Sequence, residues 1–246
     1  MTRGVRGPVI VTGTDTAVGK TIVTAAIAAA ATTSGLSVGV VKPGQTGIPE
    51  GSADESDADT VQRLAGPAAA STLASYPDPL APLAAARTSG LPPLELDSVV
   101  AAVRQATSDH DLVLIEGTGG VLVPMGPARR GAGGWTVADL ASAVRAPVVV
   151  VVRAGLGTLN HTALTLEALA RRELAALVVI GAWPPEPALV HQTNLVDLPG
   201  ELAGVVPERA GALSPQTFRA SAPSWLAPVL HGHFDAPSFR ARTVSI

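Results

Sequence analysis

The stretch that most constrains this chain is GTDTAVGKT, residues 13 to 21, which lies between the apolar run Pro8 to Val11 and the alanine-rich stretch Ile22 to Ala31. This order predicts a strand, a tight loop and a helix. Such a loop wraps backbone N–H groups around phosphate oxygens, and the start of the helix adds partial positive charge. The stretch therefore predicts a site for a nucleoside triphosphate.

Three residues of the loop carry the predicted contacts. Gly19 lets the backbone approach a phosphate, Lys20 can reach the β- and γ-phosphates, and the Thr21 hydroxyl is placed to bind Mg²⁺. The match to G-x-x-x-x-G-K-[ST] has one departure, because Thr14 stands at the first glycine position and Gly13 lies one residue earlier. The alternative is a chance Gly-Lys-Thr at a helix start that binds no ligand.

Composition narrows the classes of protein that fit. At 246 residues, with 47% hydrophobic and 3% aromatic residues, the chain predicts one α/β core built from Val, Leu, Ile and Ala. A net charge of -3 gives no reason to expect nucleic acid, and the absence of cysteine excludes disulfides and thiolate catalysis. The longest apolar strand, Val148 to Val152, is far shorter than the ~20 residues of a membrane helix. We expect a soluble, cytoplasmic protein without a signal peptide.

Strand and helix signals alternate along the chain, and several strands are continuous apolar runs. This pattern predicts a P-loop NTPase-like, mostly parallel β-sheet with helices on both faces, in a single domain. We expect the domain to span residues 1–230, with 231–246 as a loosely attached tail. The proline-rich stretch 67–93 is predicted to be irregular, with at most one short helix at 82–89. Further helices are predicted at 22–34, from 57, and at 94–106, 136–144, 160–172, 187–198 and 215–230, and further strands at 37–41, 111–115, 147–152, 176–180 and 204–206.

Polar clusters follow the predicted strands at 13–21, 42–46, 116–120 and 155–161. Ligands of such sheets bind beyond the carboxyl ends of the strands, so these clusters can form one site. Glu116 and Asp57 are candidate Mg²⁺ ligands, although Asp57 at a helix start also fits a helix cap. Lys42 would point a second ammonium at the phosphates, and its alternative is a solvated strand-end lysine.

Five motifs together carry a family resemblance: GTDTAVGKT at 13–21, VKPGQTG at 41–47, SDADTVQRL at 56–64, VLIEGTGGVLVP at 113–124 and LGTLNHTALT at 156–165. Over residues 8 to 207 they resemble the dethiobiotin synthetases of biotin biosynthesis. The resemblance implies an ATP-dependent cyclo-ligase that forms the ureido ring of dethiobiotin from 7,8-diaminononanoate and CO₂. A carbamate and a phosphorylated carbamate would form on the way, and ADP and phosphate would be released.

The resemblance also implies a role for each matching residue. Lys42 and Lys20 would be catalytic, with Lys42 holding the carbamate and the incoming γ-phosphate, while Thr21, Asp57 and Glu116 would bind Mg²⁺. The residues implied to bind nucleotide are Thr16, Ala17, Val18, Gly19, Lys20, Thr21, Glu116, Gly119, Gly181, Trp183, Val206, Pro207 and Glu208. The residues implied to bind substrate are Thr14, Asp15, Lys42, Thr46, Gly157, Thr158, Leu159 and Asn160.

The implied substrate site extends across two subunits. The segment 157–160, at a helix start, matches the family segment that receives the substrate carboxylate from the neighbouring subunit, so the resemblance implies a homodimer. A helix N-terminus suits a carboxylate. His161, which follows this segment, is interpreted as an orienting or structural residue and not as a catalytic base.

Two positions depart from the family pattern. EGTGG replaces EGAGG, so Thr118 adds bulk beside the phosphates with little other expected effect. Many family members have an asparagine near residue 180 that reads the adenine edge, whereas this chain has Gly181-Ala182-Trp183-Pro184. Our hypothesis is that backbone groups here and near Val206-Pro207-Glu208 contact the base, and that other triphosphates can replace ATP.

Three other functions are alternatives to the synthetase. A dimeric partitioning-type P-loop ATPase has a signature lysine five residues before the loop lysine, where this chain has Asp15. An ATP-dependent amidating enzyme would need a nucleophilic cysteine, which the chain lacks. A non-catalytic nucleotide-binding scaffold would be indicated if Lys42 and Glu116 were exposed and far from Lys20.

Overall fold

The computed structural model describes residues 4–49, 51–128 and 133–244. Its strands are β1 (Gly7–Gly13), β2 (Val38–Thr46), β3 (Ala69–Tyr76), β4 (Leu112–Gly120), β5 (Gly126–Pro127), β6 (Gly134–Trp135), β7 (Val148–Val152), β8 (Ala176–Trp183) and β9 (Leu202–Pro207). Its α-helices are α1 (Lys20–Thr33), α2 (Asp57–Ala65), α3 (Pro82–Ser89), α4 (Leu96–Asp109), α5 (Val137–Val144), α6 (Thr158–Ala170), α7 (Leu189–Asp197), α8 (Pro215–Trp225) and α9 (Ala236–Thr243).

Seven strands form one parallel sheet in the order β3-β2-β4-β1-β7-β8-β9. The central strands are continuous apolar runs because helices cover both faces of the sheet. β1 lies between β4 and β7, so the loop that follows it emerges at the middle of the sheet. The carboxyl ends of all seven strands meet at one edge, which confirms the predicted fold class and the common edge for the polar clusters.

Alanines let the first helix pack closely on the sheet. In α1 the run from Ala25 to Ala31 is buried, and its small side chains pack with Val9, Val11 and Leu114 in one hydrophobic cluster. A second cluster on the opposite face joins side chains of α4, α5, α6 and α7 to the sheet. The close approach of α1 places its first residues directly over the carboxyl ends of the central strands.

One strand of the seven-stranded sheet was not predicted. Residues 69–76 form β3, an edge strand paired with β2, inside the stretch that was expected to be irregular. Prolines occur at 67 and 77, so they bracket a proline-free run of nine residues, eight of which form the strand that pairs with β2. The predicted helix at 82–89 is present as α3.

Several predicted boundaries shift in ways that matter for the site. β2 and β4 run beyond the predicted apolar segments, so Lys42 and Glu116 lie on the strands themselves. Ser56, and not Asp57, is the cap of α2, because its hydroxyl accepts from the Asp59 N–H at 3.1 Å. This arrangement leaves the Asp57 carboxylate free for other contacts. The last predicted helix ends at Trp225 and is followed by a 3₁₀ turn, Pro228–Leu230.

The expectation of a loosely attached tail is wrong for the described residues after 230. Phe234 is buried in the core, and its N–H donates to Leu226 O at 2.8 Å. Helix α9 follows, and Arg240 Nε donates to Leu195 O at 3.2 Å. The phenylalanines looked isolated in the sequence because they fill gaps beside β9 and α7 and do not form a periodic face. Residues 245–246 lie outside the described ranges.

The structure also bears on the stretch 124–134 and on the question of a membrane-spanning helix. The stretch 124–134 contains the two-residue ribbon β5–β6, while its arginines at 129 and 130 lie outside the described residues. In the ranges that the structure describes, no helix is both long and apolar enough to cross a membrane.

Candidate active site

The loop between β1 and α1 forms a cradle at the centre of the sheet. Gly19 has φ of +98°, a conformation that favours glycine, and a Cβ there would lie 2.8 Å from Gly181 O. Lys20 Nζ turns back over the loop and donates to Asp15 O at 2.9 Å. The backbone of the loop and the Lys20 ammonium therefore face the same space, as phosphate binding requires.

The Lys42 side chain is buried and approaches this space from β2. Its Nζ donates to Glu116 Oε1 at 3.0 Å and to Gly117 O at 3.2 Å, and it lies 2.5 Å from Asp57 Oδ2. Only 3% of the side chain is exposed, so Lys42 is not the solvated strand-end lysine of the alternative interpretation. Its neighbours come from α2 and β4, which are far apart in sequence.

One hydroxyl and two carboxylates, which can all bind a metal ion through oxygen, meet beside Lys42. Thr21 Oγ1 lies 2.9 Å from Asp57 Oδ1 and 2.9 Å from Glu116 Oε1. A hydroxyl has one proton, so it can donate to only one of the two carboxylates at a time. A cation at this point would satisfy the remaining oxygen contact. A hydroxyl and two carboxylates are also the protein ligands that Mg²⁺ uses with phosphate oxygens, so the residues fit this metal.

Charge balance keeps Lys42 and Asp57 ionised. Burial acts to lower the pKa of Lys42, but the Glu116 and Asp57 carboxylates outweigh it and raise that pKa. Burial acts in the opposite sense on Asp57, where the Lys42 charge and hydrogen bonds from Lys42 and Thr21 lower the pKa. The cluster therefore holds the buried Lys42 cation between the buried Glu116 carboxylate and the partly exposed Asp57 carboxylate.

The pKa of Lys20 is lowered, whereas that of Lys42 is raised. Burial, and then repulsion from Lys42, lower the pKa of Lys20 despite nearby carboxylates. An anion between the two ammonium groups would remove part of this repulsion, because it would neutralise both. The electrostatics of the cradle thus favour a negatively charged ligand.

These groups surround one cavity of about 450 Å³. It combines residues from the loop, β2, α2 and β4, and so brings together the predicted phosphate, metal and carbamate residues. The lining residues are Thr16, Ala17, Gly19, Lys20, Thr21, Ile22, Lys42, Gln45, Thr46, Asp57, Glu116, Thr118 and Gly119.

The residues predicted to contact the base lie elsewhere. Trp183, Pro207 and Glu208 line a separate cavity of about 520 Å³ that also includes side chains of α8 and α9. The Trp183 ring makes T-shaped contacts with the rings of His191 and Phe239, with distances between ring centroids of 6.2 Å and 5.5 Å. The structure therefore separates the predicted base residues from the phosphate cavity.

Three other predicted nucleotide residues are packed against protein. The side chains of Val18 and Val206 lie in the core, so only their backbone groups remain for a ligand. Gly181 lies in close contact with the phosphate loop: a Cβ atom added at this position would lie 2.0 Å from Val18 O. A side chain at position 181 is incompatible with this loop position.

Of the predicted substrate residues, only Lys42 and Thr46 line the phosphate cavity. The Asp15 carboxylate accepts from Arg153 at 2.9 Å and from the Thr16 N–H at 2.7 Å. The Thr14 hydroxyl is buried and has no hydrogen-bond partner among the described residues.

The segment 157–160 begins α6 and lies outside both cavities. Gly157 is the N-cap, with φ of +90°, and no side chain caps the helix.

Sequence reasoning missed three polar contacts around the site. Gln45 is buried, and its Oε1 accepts from the Asp57 N–H at 3.2 Å. Thr118 does more than add bulk, because its hydroxyl donates to Gly44 O at 2.6 Å. Gln45 belongs to a motif that the sequence analysis quoted, so its polar character was a usable signal. Nothing in the sequence indicated the contact of Arg153 with Asp15, because the two residues are 138 positions apart.

The solved structures and the loop together define the class of protein. MinD in the MinC:MinD cell division protein complex of Aquifex aeolicus shares the fold, with a TM-score of 0.50 and 13% identity over 98% of this chain and 97% of that chain. The family model described as AAA domain matches residues 8–215. The chain is therefore a P-loop nucleotide-binding protein of the MinD-like architecture.

Sequence relatives identify the family. The ATP-dependent dethiobiotin synthetase of Streptomyces avermitilis is 50% identical over 96% of this chain and 98% of its own length. That of Rhodococcus jostii is 53% identical over 88% of this chain and 93% of its own length. The chain belongs to the dethiobiotin synthetase family.

The buried charge cluster leads to a prediction about stability. Without metal or nucleotide, Lys42→Met is expected to lower the free energy of unfolding by about 3 kcal/mol, because it leaves the buried Glu116 carboxylate without its cation. Lys42→Met combined with Glu116→Gln is expected to recover part of that loss. Urea unfolding followed by circular dichroism measures both.

The matched control is Arg6→Met, which removes an exposed ion pair with Asp111 and is expected to change the free energy of unfolding far less than Lys42→Met does. A Lys42→Met loss no larger than that of the control would contradict the inferred role of the buried charges. So would a double variant whose loss equals the sum of the two single losses.

Proposed function

We propose that this protein catalyses the ATP-dependent closure of the ureido ring of dethiobiotin from 7,8-diaminononanoate and CO₂, with release of ADP and phosphate. The observation that carries the proposal is the position of Lys42, buried between Asp57 and Glu116 and facing the same cavity as Lys20. Family membership supports the same activity, since the relatives at about half identity bear the synthetase name.

The reaction proceeds in three balanced steps. One substrate amine attacks CO₂ and loses a proton, which gives a carbamate. A carbamate oxygen then attacks the γ-phosphorus, and the bond to the ADP oxygen breaks. Finally the second amine attacks the carbamate carbon, phosphate leaves with the bonding electron pair, and loss of a proton completes the cyclic urea. Each step places or moves negative charge on oxygen atoms, so positioning and neutralisation of charge are the main tasks of the protein.

The residues of the cavity divide these tasks. Lys20 and the loop backbone hold the β- and γ-phosphates, and Lys42 holds the carbamate and neutralises the phosphoryl group in transfer. Thr21, Asp57 and Glu116 would hold Mg²⁺, which would supply positive charge to stabilise the phosphoryl group in transfer.

The diamine end and the carboxylate end of the substrate are assigned to different segments. Thr14, Asp15 and Thr46 line the diamine end, beside the phosphate cavity. The carboxylate binds at the segment 157–160 of a neighbouring subunit, so the active enzyme is a homodimer. The N-terminus of α6 supports this assignment, because its first N–H groups are not capped by a side chain. We place the reaction in the cytoplasm, where ATP is available.

The proposal predicts phosphate release that depends on the diamine. Purified protein with Mg²⁺, ATP and bicarbonate is expected to release phosphate only when 7,8-diaminononanoate is added, with dethiobiotin detected in step by mass spectrometry. Thr21→Val, which removes the hydroxyl ligand, is expected to reduce turnover about a hundredfold.

The matched control is Thr33→Val at the other end of α1, where the hydroxyl bonds only to Ala29 O. It is expected to keep wild-type turnover. ATP hydrolysis at the same rate with and without the diamine, with no dethiobiotin formed, would contradict the proposed synthetase activity and favour a switching ATPase.

We also propose that the base is held mainly by backbone groups near Gly181 and Pro207. Backbone contacts discriminate poorly between bases, and the close packing of Gly181 on the loop leaves no side chain there to read the base edge. Turnover with ATP, CTP and GTP is therefore expected to agree within about tenfold. The measurement is diamine-dependent phosphate release at saturating concentrations of each triphosphate, and strict dependence on ATP would contradict the proposal.

A further inference from the structure

Asn194 is a buried polar residue on α7 that no part of the proposed reaction uses. It is 8% exposed, and its Nδ2 donates to Ala154 O at 2.9 Å and to Gly155 O at 3.0 Å. Both partners are carbonyl oxygens, so the donor NH₂ group must face them. The amide thus fixes the loop between β7 and α6 from a distant helix.

The Gly155 carbonyl has a second partner that links Asn194 to the helix start. It also accepts from the Thr158 N–H at 3.3 Å. One carbonyl oxygen with two lone pairs therefore joins the Asn194 amide to the first residue of α6. A displaced Gly155 would shift the first N–H groups of α6 and with them the segment 157–160.

The support beneath Asn194 is rigid. The next residue, Leu195, is 1% exposed, and Leu198 is 7% exposed, so both anchor α7 in the hydrophobic core. Arg153 anchors the start of the loop through its exposed contact with Asp15. The turn itself has little side-chain anchorage, because it contains two glycines and Leu156, which is 86% exposed. The Asn194 amide is therefore a main side-chain constraint on the loop.

We propose that Asn194 is a positioning residue for the substrate carboxylate: it holds the N-terminus of α6 in the orientation in which its N–H groups receive that group. This inference rests on the proposed function, because it assumes the carboxylate binds at 157–160. Asn194 touches no substrate, and its effect passes through the carbonyls of Ala154 and Gly155.

Steady-state kinetics of Asn194→Ala test the proposal. The variant is expected to raise KM for 7,8-diaminononanoate about tenfold, because a misplaced binding group weakens contacts strongly. KM for ATP is expected to stay within about twofold of the wild-type value, since the phosphate cavity is built from other elements. Thr193→Ala, whose hydroxyl bonds only within α7, is the matched control and is expected to behave as wild type.

A substrate analogue without the carboxylate charge distinguishes a positioning role of Asn194 from a general loss of structure in the variant. The carboxamide of 7,8-diaminononanoate is expected to be a poorer substrate for the wild type, and Asn194→Ala is expected to have no further effect on its KM. Asn194→Ser, which keeps one donor, serves as a second variant if the alanine variant does not fold, and is expected to raise KM for the acid by a smaller factor.

Three results would overturn the proposal: an unchanged KM for the acid, an equal rise in KM for ATP, or an equal effect of the substitution on acid and carboxamide. Failure of the proposed function would look different, because the wild-type protein would then form no dethiobiotin from either substrate.

Discussion

The Lys42 ammonium is enclosed by two carboxylates, and the geometry of the site depends on this buried contact. It ties β2 to β4 and to the start of α2, three elements that are separate in the chain. A buried charge of either sign is unfavourable unless it is paired, so each partner restrains the others. The Thr21 hydroxyl extends the cluster to α1, which places the phosphate loop in register with the rest.

The same cluster explains how the cavity can accept a metal and a phosphate together. Its two lysines and two carboxylates balance in charge, so a metal beside the carboxylates and a phosphate beside the lysines would preserve that balance. The Glu116 and Asp57 carboxylates raise the pKa of Lys42 and keep its ammonium charged, and an incoming anion would oppose the burial that lowers the pKa of Lys20. Catalysis by charge placement needs such fixed groups in a dry cavity.

Local patterns in the sequence were sufficient for the parts of this protein that depend on neighbours in the chain. The phosphate loop follows from nine consecutive residues, and the alternation of strands and helices predicts a parallel sheet whose polar ends converge, which brings Lys42 and Glu116 to Lys20. The edge strand β3 was missed because nearby prolines suggested a loop. Phe234 was missed because a residue that fills a single gap leaves no periodic signal.

The polar supports around the site could not be predicted for a related reason. Arg153 finds Asp15, and Asn194 finds Ala154, only after the sheet has brought distant segments together. Their residue types alone are common on exposed surfaces, so composition and spacing give no indication of these contacts. The separation of Trp183 and Glu208 from the phosphate cavity likewise depends on how α8 and α9 pack at the edge of the sheet.

The central claim is that Lys42 acts on the carbamate and the phosphoryl group, and ¹³C NMR with labelled bicarbonate tests it most directly. With 7,8-diaminononanoate, Mg²⁺ and ATP, the wild-type protein is expected to place the label in a urea carbonyl in step with ADP. Lys42→Met is expected to bind Mg²⁺-ATP but to form no labelled urea. Ring formation by Lys42→Met at the wild-type rate, or ADP without labelled urea in the wild type, would contradict the account.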